Sequence, residues 1–431
     1  MKKITLLCTL LTQLVVSQNY TEYATGSSTD VDTNHEFGIC MMGGASENDN
    51  AMIWFLNKAN GGDVVVLRAS GSDGYNDYFY TDLGVAINSV TTFVINNEAG
   101  AIDPYVLDKV ANAEAIWFAG GDQFDYVSFF KDNAMEDTLN SFINTKQGVI
   151  GGTSAGMAIL GSGYFSAENG TVTNAQALSD PYHNRMTLGY NDFLEIPFLE
   201  HVITDTHYDD PDRRGRHAAF LARYATDNNT YALGIACNEY TAVCIDNFGR
   251  AYVYGDYPNY PEYAYFLNSF CTFENEQDFL PENCVPGQPL TWNINGEALQ
   301  VVKIPGTPNG DYYTYVSGFG FGNPYETFWE NWSVNNGSFS TTSTTNPYCD
   351  LLGVSEYQRG TISVRPNPFQ NVISIESQLV NFDVKLYDSF GKQVAKFQNQ
   401  AQIDTSNLAS GLYFMSVSSE GLQETFKLIK N

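Results

Sequence analysis

Residues 148–161 read GVIGGTSAGMAILG. Val149 and Ile150 have the character of a buried strand's end, and residues 155–160 that of a helix's start. Between them Gly152 and Gly156 flank Thr153-Ser154-Ala155, the pattern Gly-x-Ser-x-Gly. A serine on a sharp strand-to-helix turn needs small neighbours, because its backbone is strained and the chain packs closely around it. A helix starting there aims its first N–H groups at any oxyanion formed on the turn. In a chain with 37 glycines the pattern arises by chance about 0.2 times. The turn alone is therefore also readable as a capped strand-to-helix junction, and its surroundings must decide.

Working outward, residues 36–251 alternate between short apolar runs and amphipathic ones. AMIWFLNKAN (51–60) predicts a helix, while DVVVLRAS (63–70) and TTFVINN (91–97) predict strands. DPYVLDKVANA (103–113) reads as a helix with Pro104 in its first turn. AIWFAGG (115–121) is a strand and residues 124–145 are helical. Strands that are apolar throughout and separated by helices indicate a parallel sheet covered on both faces. Ligand sites in such sheets lie beyond the carboxyl ends of the strands. GGDQ (120–123) and the serine turn both fall at such ends.

A serine nucleophile needs a base, an acid that orients the base, and donors for the oxyanion. The chain has five histidines: His35, His183, His201, His207 and His217. His207, in HVITDTHYDD, follows an apolar run at Val202-Ile203, which puts it on the loop beyond a strand, at the same sheet edge as Ser154. The acid is Glu168, in YFSAENG, or Asp180, in LSDPY, and either gives the chain order Ser, acid, His. The N–H of Ala155 and one from the Gly120-Gly121 turn, that of Gly121, would form the oxyanion hole. Gln123 could add a side-chain donor to the substrate. Arg213 and Arg216 stand at i, i+3 near a helix start, and arginine suits a bidentate grip on a carboxylate. A solvent-facing helix turn with ordinary salt bridges is the alternative for that pair.

The ordered set GGDQ, GTSAG, DTH and an Arg-x-x-Arg stretch resembles the cyanophycinase and dipeptidase E family of serine peptidases over roughly residues 36–250. The resemblance implies a class I glutamine-amidotransferase-like three-layer α/β/α core with Ser in place of the amidotransferase Cys. It implies Ser154 as nucleophile, His207 as base and Glu168 as orienting acid. Gln123 would contact substrate, and Arg213 and Arg216 would shape the site, with no metal or organic cofactor. Met157, His217-Ala218 and Cys237-Asn238-Glu239 depart from the family pattern, the last standing where many members have a Gly or Ile and then Asp-Glu.

The remainder of the chain is of other kinds. MKKITLLCTLLTQLVVS (1–17) is a secretory signal peptide, two lysines before an apolar run too short to span a membrane. No later apolar run reaches a transmembrane length. Residues 252–350, rich in Tyr, Trp, Asn and Gly, predict an accessory β-region, and STTSTTNP (340–347) resembles a flexible linker. Residues 362–431 read as four or five short strands of a small β-sandwich. Pro366-Asn367-Pro368, Leu386-Tyr387-Asp388 with Gly391-Lys392, and Leu408-Ala409-Ser410-Gly411-Leu412-Tyr413 resemble the C-terminal sorting module of the Bacteroidetes type IX secretion pathway.

With 21 basic against 49 acidic residues the chain lacks the basic footprint of a nucleic-acid binder. Removing Cys8 with the leader leaves Cys40, Cys237, Cys244, Cys271, Cys284 and Cys349. An even number in an exported protein permits three disulfides, with Cys237–Cys244 and Cys271–Cys284 as local candidates. No Cys-x-x-Cys occurs, which argues against a zinc cluster.

Together these features predict a secreted or cell-surface serine peptidase, exported through the periplasm by the type IX machinery of a Bacteroidetes-type bacterium. It would act on aspartyl peptide or isopeptide bonds of peptides or a cyanophycin-like polymer, and a homodimer is compatible with the sequence. A secreted esterase using the same Ser and His, or an inactive cell-surface binding protein, are the alternatives.

Overall fold

The computed structural model describes residues 19–269, 279–314, 327–344, 363–376, 382–388, 392–419 and 422–431. The signal peptide read at 1–17 lies outside them, as do Cys271 and Cys349. The chain divides into two compact units, one ending at Leu351 and the other starting at Leu352.

The described strands of the first unit run β1 (Tyr20–Gly26), β2 (Gly38–Met42), β3 (Asp63–Arg68), β4 (Ser89–Ile95), β5 (Ala115–Phe118), β6 (Val149–Thr153), β7 (Gly163–Phe165), β8 (Leu188–Tyr190), β9 (Val202–Asp205), β10 (Leu233–Cys237), β11 (Ala242–Asp246), β12 (Arg250–Tyr254), β13 (Tyr263–Asn268), β14 (Leu299–Pro305), β15 (Asp311–Thr314), β16 (Phe328–Asn335) and β17 (Ser338–Thr344). They form two sheets. The first has the order β1-β4-β3-β5-β6-β2-β11-β12-β15, and its five central strands from β4 to β2 are parallel. Side chains alternate between its faces, as the pleat requires. Cys40 and Met42 join Met52, Phe55 and Trp117 in one core, while Ile39, Met41 and Ile150 face another that includes Val106, Tyr126 and Leu139. This is the α/β/α layering predicted from the apolar runs.

Polar side chains start the covering helices. Asn48 accepts N–H bonds from Asn50 and Ala51 ahead of Asp49–Ala59, and Asp103 caps Pro104–Asn112. The single helix expected over 124–145 is two, Gln123–Phe130 and Ala134–Ser141, followed by a wide turn at Phe142–Lys146. The break has a local cause: Asp132 takes a left-handed φ of 60° and Asn133 caps the second helix by accepting the Met135 N–H. The helix expected at 155–160 is a single turn, Ala155–Ala158.

The second sheet has the order β17-β16-β14-β13-β10-β9-β7-β8. Ile235, Phe266 and Ile304 on one face share a core with the first sheet, and Ala236, Leu267 and Val301 on the other pack with helix Arg214–Asn228. Two expectations are corrected here. The Tyr/Trp-rich segment adds strands to both sheets, with β13 on β10 and β15 on β12, and a boundary at 251/252 falls inside β12. Residues 340–344 of the expected linker lie in β17, the edge strand paired with β16. Ser and Thr suit an exposed edge strand, where their side chains meet water and their backbone still pairs.

The second unit contains seven strands among its described residues, more than the four or five expected, in a three-stranded and a four-stranded antiparallel sheet. Ile373, Val384, Leu386, Ile403, Met415 and Val417 form its core, which makes it the small all-β sandwich predicted for the region.

The local cysteine pairing expected for Cys237 and Cys244 is not made. Cys237 Sγ points to the Met41 carbonyl instead, and the two side chains belong to different cores.

Candidate active site

The serine turn is built by close approach. Ser154 has φ 52° and ψ −114°, a conformation that costs a non-glycine residue on the order of 1–3 kcal/mol and that clusters at active sites. Its N–H donates to the Met42 carbonyl at 3.0 Å and its carbonyl accepts from the Ala158 N–H at 2.9 Å. A Cβ on Gly152 would lie 2.5 Å from the Gly156 backbone, and one on Gly156 would overlap the Phe118 carbonyl at the end of β5. Both glycines of the pattern are thus required by space, and the turn is more than a capped junction.

The five histidines separate cleanly. His207 Nε2 lies 2.8 Å from Ser154 Oγ, whereas the recorded ring contacts of His35, His183, His201 and His217 are all with other groups. His207 arrives from β9, in the second sheet, and not from the sheet that carries Ser154. Its N–H donates to the Gly43 carbonyl at 2.8 Å, and a Cβ on Gly44 would collide with its ring. The Gly43-Gly44 turn after β2 therefore joins the two sheets and cradles the imidazole.

The carboxylate that meets the His207 ring belongs to neither expected residue. His207 Nδ1 lies 2.5 Å from Glu239 Oε1, so the ring donates from Nδ1 and keeps the Nε2 lone pair for the Ser154 hydroxyl. Glu168 is exposed, and its backbone N–H reaches Ser166 Oγ. Asp180 Oδ1 accepts from the N–H groups of Tyr182 and Gly287. The observed order is Ser, His, Glu. Glu239 follows β10 by two residues, as His207 follows β9, and the two strands are parallel with Ala236 opposite Asp205. That register sets both side chains at one edge. The Glu239 N–H donates to Asp209 Oδ1 at 3.1 Å, which anchors the loop.

Ser154 and His207 open onto a cleft of about 380 Å³, also lined by Gly121, Asp122, Gln123, Ala155, Ala167, Gly170, Thr171, Thr206, Arg213 and Arg216. Gln123 begins its helix and donates Nε2 to the Phe165 carbonyl at 3.4 Å, a long bond. Gly121 has φ 153° with open space around it.

The two arginines have different environments. Arg216 is buried, pairs with both oxygens of Asp205 at 2.9 and 2.5 Å and donates to Thr171 Oγ1. The rings of Phe165 and Phe220 flank it. Burial pushes the Asp205 carboxyl up, but Arg216, His217 and Arg213 outweigh it and hold that carboxyl below its ordinary value. Arg213 donates Nη1 to the Thr206 carbonyl at 3.0 Å, while its buried Nε has no partner. Burial, and then the Arg216 charge, pull its guanidinium below the ordinary arginine value. The solvent-facing alternative thus fits neither residue, and Arg213 is the arginine left to meet an anion.

Asp32, His35 and Glu114 bring ligand-type atoms within 4.8 Å of one another. Two of the three are otherwise engaged: His35 contacts the Thr33 and Lys146 carbonyls, and Glu114 accepts from Lys146 Nζ and the Asp63 N–H.

Comparison with known proteins matches residues 363–431 to the secretion system C-terminal sorting domain. That module belongs to type IX secretion, so the chain is of an exported kind. The cyanophycinase of Synechococcus elongatus is 22% identical over 234 residues, covering 52% of this chain and 67% of that protein. The cyanophycinase of Thermosynechococcus vestitus matches to the same extent. Among solved structures, a peptidase from an acI-B1 Actinobacterium aligns with a TM-score of 0.37 and 15% identity over 51% of this chain and 88% of its own. A putative peptidase E protein from Listeria monocytogenes EGD-e aligns with 0.32 and 14% over 49% and 95%. Among the described residues no helix is long and apolar enough to cross a membrane.

Proposed function

We propose that the chain is a secreted serine peptidase that hydrolyses aspartyl peptide or isopeptide bonds. The observation that carries this reading is the continuous line from Glu239 Oε1 through the His207 ring to Ser154 Oγ, with contacts of 2.5 and 2.8 Å, on a strained elbow.

Ser154 Oγ attacks the scissile carbonyl as its proton passes to His207 Nε2. Glu239 holds the ring in the Nδ1–H tautomer and stabilises the imidazolium. The backbone N–H groups of Ala155 and Gly121 receive the oxyanion, and His207 then protonates the leaving amine. Water, activated by the same ring, releases the acyl group and restores Ser154. Arg213 provides a cationic donor for a substrate carboxylate, and Gln123 a second contact. Arg216, neutralised by Asp205, braces the Thr171 side of the cleft. Similarity to the two cyanophycinases supports an aspartyl substrate, and the sorting domain supports action outside the cell.

Purified chain and its Ser154→Ala variant should be compared on cyanophycin and on α- and β-aspartyl dipeptides. Cleavage by the wild type alone is expected. Equal inertness on every aspartyl substrate would remove the substrate class, and cleavage by the variant would remove Ser154 as nucleophile.

A further inference from the structure

The catalytic reading leaves a pair of buried cysteines unused. Cys40 in β2 and Cys244 in β11 are direct partners in an antiparallel ladder. Opposed residues of such a ladder have Cα atoms about 4.5–5.5 Å apart, inside the range that a disulfide spans. The two sulfurs lie 3.5 Å apart, both side chains are fully buried, and both face the core under helix Asp49–Ala59. Closing to a bond of about 2.0 Å needs a side-chain adjustment and no movement of a strand. Cys237 belongs to the core on the other face, and Cys284 to a third. Among the described cysteines the geometry selects one pair.

We propose that Cys40 and Cys244 form a cross-strand disulfide in the exported chain. The sorting domain sends the protein to an oxidising environment, where such bonds persist. Closure removes two protons and two electrons from the thiols. One thiolate forms a mixed disulfide with a protein or small-molecule disulfide oxidant, the other displaces it, and the oxidant leaves as two thiols. Burial pushes the Cys244 thiol well above its ordinary value. Attack therefore belongs to the stage at which the sheet assembles, and the finished bond is shielded from external thiols.

The bond ties together the strands that hold the site. At the end of β2, the Met42 and Gly43 carbonyls accept the N–H groups of Ser154 and His207, and β11 begins three residues after Glu239. Only this last consequence rests on the proposed function.

The test is made on full-length chain exported to an oxidising periplasm, denatured in N-ethylmaleimide without reductant and digested. The expected product is the Cys40 peptide linked to the Cys244 peptide, neither carrying the label. Label on both, or linkage of either to Cys237, Cys271, Cys284 or Cys349, overturns the proposal. Cys40→Ala and Cys244→Ala provide an independent reading through Tm. Each should lower it by about 4–8 °C, the double variant by no more than one of them, and wild type folded under reductant should fall with them. Additive losses that ignore the reductant would overturn the bond.

Discussion

Glu239 Oε1 lies 2.5 Å from His207 Nδ1, across 32 residues of chain and from the neighbouring parallel strand of the same sheet. Replacing Glu239 with Gln keeps the shape of the side chain and removes the charge that balances an imidazolium. The expected loss in kcat is about 10²- to 10⁴-fold, with little change in KM. Glu168→Gln should stay within about twofold of wild type, because that residue is exposed and the carboxylate on the ring is Glu239. The comparison can be made without a known substrate by timing the labelling of Ser154 with a fluorophosphonate. Equal labelling of Glu239→Gln and wild type would refute the assignment.

The arginine pair separates binding from stability. Arg213→Met should raise KM for substrates with a free carboxylate by about 10- to 100-fold and leave Tm nearly unchanged. Arg216→Met strands Asp205 as a buried, unpaired carboxylate, which costs about 3–5 kcal/mol. Steady-state kinetics beside thermal melts resolve the two. A collapse of Tm in Arg213→Met, or a pure KM effect in Arg216→Met, would reverse these roles.

Gly156→Ala tests the elbow. The added methyl would overlap the Phe118 carbonyl, which is backbone and cannot swing aside. Either β5 or the Ser154 turn must shift, and a displacement of about 1 Å at the reacting group costs on the order of 10²-fold in rate. The expected variant is folded by circular dichroism and nearly unreactive towards the phosphonate. Full reactivity would mean that the turn tolerates a wider approach than its packing indicates.

The α/β core was legible because parallel strands buried on both faces are written as local apolar runs: VVVL, IWF and GVIG need no tertiary information. The serine turn was legible for the same reason, since its glycines and serine are contiguous. The carboxylate beside His207 was not, because Glu239 meets it only through the register of β10 on β9. A signal did exist in LGIAC followed by Asn238-Glu239, an apolar run with an acid two residues beyond it, as His207 stands beyond VITD. Membership in a second sheet was likewise invisible, since an apolar strand carries no mark of which sheet it joins. The Ser/Thr run at 340–344 has the composition of a linker, and only its pairing with β16 makes it a strand.

His217, one of the departures from the family pattern, is expected to contribute to the acid sensitivity of the first unit. It is fully buried, with Tyr208 Oη 2.9 Å from Nδ1 and the Ile203 carbonyl 3.0 Å from Nε2. A neutral ring satisfies both contacts by accepting from the hydroxyl and donating to the carbonyl. Burial, reinforced by the Arg216 charge and only partly opposed by Asp205 and the Ile203 contact, lowers its pKa to about 4. In the unfolded chain the ring titrates near its ordinary value of about 6.5. Between these values the unfolded state binds a proton that the native state refuses. The contribution to stability is therefore complete above about pH 6.5 and is lost as the pH falls towards 4, about 3 kcal/mol in all. His217→Gln should be less stable than wild type at pH 7, and the gap should narrow by about that amount at pH 4. Carboxylates titrating in both proteins cancel in the difference, so guanidinium unfolding at the two pH values is sufficient. A gap independent of pH would mean that His217 carries its proton in the native core.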